Sequence, residues 1–155
     1  MSEIDLYHEQ QAQEYLDHVR SCTERVNTIS EEIAQLRSQL TLSGVSYSEH
    51  VSGGMVSKDA IPDGVARMLE LIDEYTTCQI ECLDEQHTLH DVLMKLGPLE
   101  ARLVKARWIK DCTWNQVAYS LNYSRSGLCA IRHQALQSVY KHMPPTYKET
   151  SKAMN

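Results

Sequence analysis

The stretch that decides the fold is TWNQVAYSLNYSRSGLCAIRH, residues 113–133. Thr113 is a favoured N-cap residue, and Gln116 stands three positions on, so the pair completes a capping box at the start of a helix. Apolar residues follow at Val117, Leu121, Tyr123, Leu128 and Ile131, the slots through which two short helices pack on each other. Ala118 is small enough for those helices to cross closely. Asn122 stands where a tight turn needs positive φ, and Asn is the best residue for it other than Gly. Ser124 then caps a second helix, which runs to about Lys141 with Leu128, Ile131, Ala135 and Val139 on its inner face. This is the spacing of a helix-turn-helix.

Outward from this window the chain is punctuated twice. Gly97-Pro98 ends one helix and starts another, which runs from Pro98 to about Lys110 and turns Leu99, Leu103, Ala106 and either Trp108 or Ile109 inward. Asp111-Cys112 is the turn before Thr113, and Pro144-Pro145 stops the last helix past Met143. Residues 97–143 are therefore expected to form a compact helix-turn-helix module. The tail, 144–155, has almost nothing apolar to bury and is expected to stay disordered.

Residues 1–96 read as a long helical hairpin. Ala12, Tyr15, Val19, Cys22, Val26, Ile29, Ile33, Leu36 and Leu40 alternate at three and four residues, a heptad seam over about four heptads. At about 1.5 Å per residue, residues 11–41 make a rod on the order of 45 Å long, which cannot bury its own stripe. A loop follows over 41–61, with Gly44, Gly53, Gly54 and several serines, and Pro62 suits the first turn of a second helix. That helix runs to about Leu96, with a seam through Val65, Leu69, Ile72, Thr76, Ile80, Leu83, His87, His90 and Leu93 or Met94. An antiparallel hairpin is the simplest way to bury both stripes, and a parallel intermolecular coiled coil through 11–41 is the alternative. The pattern leaves both open, and it implies a homo-oligomer through residues 11–41 and 62–95. With only 6 Gly and 4 Pro in 155 residues, the fold class is all-α, a long two-helix hairpin followed by the helix-turn-helix module.

Charge sorts the two halves. Residues 1–96 carry 6 Lys and Arg against 18 Asp and Glu, whereas residues 97–148 carry 8 against 2. A basic module attached to an acidic scaffold points to nucleic acid for the module and to a partner for the scaffold. In a helix-turn-helix the first turns of the second helix enter the major groove of double-stranded DNA. The candidate contacts there are Ser124, Arg125, Ser126, Cys129, Ala130, Arg132 and His133. Arg125 is the side chain suited to read guanine O6 and N7 with two hydrogen bonds. Thr113, Lys110 and Lys141, with Lys105 and Arg107, are candidates for the phosphate backbone.

The module resembles the fourth region of primary bacterial sigma factors. The likeness lies in Glu100-Ala101-Arg102, Thr113 and Tyr123-Ser124-Arg125, followed by Leu128, Ile131, Ala135 and Leu136. Relative to that pattern Ser126 replaces an acidic residue, Gly127 and Cys129 replace basic ones, and Ala130 replaces a Gln. Over its length the chain also resembles small phage and prophage regulators of late genes, of the ArpU and RinA type. There a long first helix leads to a loop like Gly44-Val45-Ser46-Tyr47, then a second long helix and a segment like Thr113-Trp114-Asn115-Gln116-Val117-Ala118. The resemblance implies transcription regulation, including action through RNA polymerase.

Other chemistry finds little support. Cys78, Cys82, His87 and His90 would spread over about 18 Å of one straight helix, too far for a single tetrahedral zinc ion. Neither a Cys–His nucleophilic pair nor a Gly-rich phosphate loop is present, so no enzyme, cofactor or metal is expected. Five cysteines at irregular spacing, no signal-like N-terminus and no membrane-length apolar run suit a cytoplasmic chain with reduced thiols. The competing function is a protein-interaction adaptor, whose acidic hairpin binds a partner and whose helix-turn-helix is only scaffold.

Overall fold

The structure, a computed structural model, describes residues 2–42 and 63–148. Among these residues the chain is all-α. Helix α1 (Glu3–Leu42) and helix α2 (Asp63–Met94) are long, and α3 (Pro98–Val104), α4 (Trp114–Leu121) and α5 (Arg125–His142) are shorter. A π-helical turn, Lys105–Ile109, continues α3 directly. None of these helices is long and apolar enough to cross a membrane. Of the expected 41–61 loop, Thr41 and Leu42 close α1, and the remainder, with Pro62, lies outside the described residues.

The chain divides into two compact units, one of residues 22–82 and one of residues 1–21 with 83–155. In the first, Val26, Ile29, Ile33 and Leu36 of α1 pack with Leu71, Tyr75 and Cys78 of α2, and Leu40 packs with Val65 and Met68. Late residues of α1 thus meet early residues of α2, which makes this unit the antiparallel hairpin. Burying an aliphatic side chain is worth about 1.5–3 kcal/mol, and this stripe holds the pair together more than helix propensity does. Gly64 lets the helices close tightly, since a Cβ there would stand 2.7 Å from Leu40 Cδ2. Across the middle of the hairpin Arg25 donates to Cys78 Sγ from Nε at 3.2 Å and from Nη2 at 2.8 Å.

The seam of α1 falls as its period implies, with all nine positions buried or partly buried. The expected seam of α2 is displaced. Leu69, Ile72, Ile80 and Leu83 are exposed, and the face turned to α1 in the hairpin carries Val65, Met68, Leu71, Tyr75, Cys78 and Cys82. Helix α2 carries two apolar stripes, and α1 takes the one containing thiols and Tyr75. The stripe of α1 at 11–41 is covered within the chain, which leaves the second stripe of α2 as the surface open to another copy.

The second unit does not begin at residue 97. Ala12, Tyr15, Leu16 and Val19 of α1, with Leu89 and Leu93 of α2, share one buried cluster with Leu103, Trp108, Val117, Leu121, Leu128, Leu136 and Val139. Three short helices cannot enclose that much apolar surface alone. The start of α1 and the end of α2 complete the core, so the division expected at 96/97 is replaced by one inside each long helix. Ser2 caps α1, its hydroxyl accepting from Asp5 N at 3.2 Å while Asp5 Oδ2 accepts from Ser2 N at 3.2 Å, and these bonds hold the Asp5 carboxyl below its ordinary range. The expected disorder of the tail fails for residues 144–148. Residues 145–148 form a helical turn, Tyr147 packs against the core with its ring edge-on to Tyr15 at 4.8 Å, and its hydroxyl donates to Glu85 at 2.9 Å. Residues 149–155 lie outside the described residues.

Candidate nucleic-acid interface

The π turn sets the approach to α4. Its wider ladder, closed by Lys110 N on Lys105 O at 2.9 Å, turns Trp108 into the core and leaves Ile109 exposed. Asp111 then takes a left-handed φ of 59°. Thr113 and Gln116 make the full capping box: Thr113 Oγ1 accepts from Gln116 N at 3.2 Å, and Gln116 Oε1 accepts from Thr113 N at 2.8 Å. Asn122 closes α4 in the left-handed conformation, φ 60° and ψ 40°. Ser124 caps α5, its hydroxyl accepting from Gly127 N at 3.1 Å. Leu128, Ile131, Ala135 and Val139 are all buried, as the window implies.

The candidate contact residues do not form one surface. Ser124, Arg125, Ser126, Cys129 and Ala130 are exposed on the first turns of α5. Ser124 and Ser126 stand 3.2 Å apart through their hydroxyls. Lys141 is exposed sixteen residues beyond Arg125, roughly 24 Å along the helix. Lys105 and Lys110 are exposed on the π turn and just after it. Thr113 is held by its cap.

Arg132 and His133 are engaged within the unit. Arg132 donates to Gln13 Oε1 at 3.3 Å and lies over the Trp114 ring at 4.9 Å, while Arg107 lies over the same ring at 5.0 Å and donates to Cys112 O at 2.9 Å. His133 Nδ1 pairs with Glu9 Oε1. These contacts belong to a polar row on α1, one residue in every four. Asp5 O accepts from Gln137 at 2.8 Å, Glu9 meets His133, Gln13 meets Arg132, and Asp17 Oδ1 accepts from Trp108 Nε1 at 2.9 Å. Partner numbers on α5 fall as those on α1 rise, so α1 runs antiparallel along its flank. His8 stacks on Tyr140 at 3.9 Å in the same contact.

Sequence reasoning therefore missed three things: Trp114 as the platform for two guanidinium groups, the commitment of Arg107, and the acidic helix beside α5. The signal for the last was present. Asp5, Glu9, Gln13 and Asp17 recur every fourth residue beside an apolar seam, and such a row on one helix face calls for a polar partner. Arg125 keeps the position expected of it, exposed in the first turn of α5, opposite Leu128 and Ile131. Comparison with protein-family models, with curated proteins and with solved structures finds no match to this chain.

Proposed function

We propose that the chain is a sequence-specific, double-stranded-DNA-binding transcription regulator of phage or prophage type. The observation that carries this reading is the α4–α5 pair, in which a left-handed Asn122 joins two capped helices and the first turns of α5 stand exposed. The first turns of α5 enter the major groove, and Arg125 reads a guanine with two hydrogen bonds. Ser126 and the Ser124 hydroxyl reach phosphates or base edges, and Lys110 and Lys141 attract the backbone without reading sequence. Arg132 and His133 do not read bases in this scheme, because α1 holds them. The regulator acts in the cytoplasm as a homo-oligomer and works with RNA polymerase.

The test is competition binding at fixed salt, using a target selected from random duplexes. Arg125→Ala narrows the gap between target and competitor by about ten- to hundredfold. Lys110→Ala weakens binding to all sequences alike, and parental affinity falls with salt at a log–log slope of about −0.9 per phosphate contacted. Absence of salt-dependent binding to any duplex overturns the reading. The adaptor role then takes its place, favoured by the acidic row of α1 on the flank of α5.

A further inference from the structure

We propose that α2 pairs with a second copy of itself, parallel and in register, through the stripe Leu69, Ile72, Thr76, Ile80 and Leu83. This deepens the oligomer part of the function proposed above, yet it rests on α2 alone and is read without DNA. Leu69 is 51% exposed, Ile80 59% and Leu83 57%, high values for Leu and Ile on a helix that already buries another face. The spacing puts all five on one side of the helix.

Two properties point to a copy of the same helix as the occupant. The first is the order of the residues. Counted from Thr76, Ile stands four positions to either side and Leu seven, so the pattern reads the same in both directions. A twofold interface needs one patch that complements itself, and here Leu meets Leu, Ile meets Ile and Thr meets Thr.

The second is charge, which fixes the direction. One flank of the stripe carries Glu70, Asp73, Glu81 and Asp84, and the other carries the uncharged Gln79 and Gln86. In an antiparallel twofold pair like flanks face each other, so Glu70 and Asp73 would lie beside Asp84 and Glu81 of the second copy. In a parallel pair each acidic flank faces the glutamine flank instead, and the repulsion is avoided.

Sedimentation of the full chain at tens of micromolar is expected to show a dimer. Ile80→Glu, at a site already exposed in the monomer, keeps helix content by circular dichroism and raises the dissociation constant by roughly a hundredfold or more. Orientation is read by oxidation of Leu69→Cys in a Cys129→Ser background, with Cys129→Ser alone as control. A disulfide needs Cα atoms about 4.4–6.8 Å apart, and only the parallel pair brings the two copies of residue 69 together. An antiparallel pair holds them roughly 21 Å apart. A monomer at every concentration, or a dimer indifferent to Ile80→Glu, overturns the proposal. Cross-linking only when copies carrying Leu69→Cys and Leu83→Cys are mixed overturns the parallel arrangement.

Discussion

The α4–α5 pair and the α1–α2 hairpin are both helical hairpins, but they are specified in different ways. In α4–α5 each boundary is set by a side chain acting locally. Thr113 and Gln116 start α4, Asn122 turns the chain and Ser124 starts α5. In the long hairpin only the period of apolar residues speaks. A period is decisive when a helix has one stripe, as α1 does, and ambiguous when it has two, as α2 does. Local caps bring their own partners, whereas a stripe states only that some partner exists.

The largest effects come from choosing between the two stripes of α2. Leu71 is 3% exposed in the core shared with Ile29 and Cys78. Leu71→Ala is expected to cost about 2–5 kcal/mol in urea unfolding, whatever the protein concentration. Leu69→Ala is expected to change stability by about 0.5 kcal/mol or less in dilute protein, with a loss that grows with concentration if the second stripe pairs with another copy. Equal losses for the two variants at high dilution would restore the seam read from the sequence. That reading chose Leu69, Ile72, Ile80 and Leu83 because they are more apolar than Tyr75, Cys78 and Cys82. Burial followed what α1 offers, including the Arg25 guanidinium on Cys78, and hydropathy does not encode that choice.

Next in size is Tyr15, which belongs to the clean stripe of α1 yet carries a flaw. It is fully buried, and its hydroxyl has no hydrogen-bond partner among the described residues. Burial, then the charge of Glu85, pushes its phenol up to about 12 from an ordinary value of 10.0. Between those values the unfolded chain loses the proton that the folded chain keeps. Stability is therefore lost as pH rises through this window and is untouched by Tyr15 below it. The loss attributable to Tyr15 is about 2–3 kcal/mol, and Tyr15→Phe should remove it. At neutral pH the same substitution should be neutral or stabilise by about 1 kcal/mol, because an unsatisfied hydroxyl leaves the core. Paired urea melts of parent and variant near neutrality and above pH 11 provide the check. A Tyr15→Phe loss above 1 kcal/mol at pH 7 would mean that the hydroxyl has a partner after all.

On the capped side the effects are smaller and local. Ser124→Ala removes the acceptor for Gly127 N and should cost about 1 kcal/mol, with Ser124→Gly costing only a few tenths. Equal losses would argue that the Ser124 hydroxyl does not act as a cap. Here the sequence was nearly transparent, since the caps, the left-handed turn and the inner face of α5 could all be named from residue types. The candidate site was legible only in part. Ser124, Arg125, Ser126, Cys129 and Ala130 lie where the window puts them. Arg132 and His133 were misjudged because their partners come from Gln13 and Glu9, more than a hundred residues away in the chain, and no local pattern carries that pairing.

The smallest expected effect addresses that long-range contact. The Glu9 carboxylate rests on His133 at the margin of the exposed turns of α5, with about a fifth of its side chain, 19%, open to solvent. Duplex DNA carries one negative charge per about 1.7 Å of axis, so a carboxylate near its path opposes binding. Screening limits the penalty, because the Debye length is about 8 Å at physiological ionic strength. Glu9→Gln keeps the shape of the side chain and an acceptor for the His133 ring while removing the charge. In the proposed docking it should tighten binding by roughly two- to fivefold at low salt and have little effect at high salt, the scale of a weak ion pair. The gain should be the same for target and competitor, since a charge acting on phosphates carries no base information. Unchanged affinity at low salt would mean that the duplex does not pass beside α1. A loss confined to the target would mean that His133, oriented by Glu9, reads a base, and the interface would then extend beyond the first turns of α5.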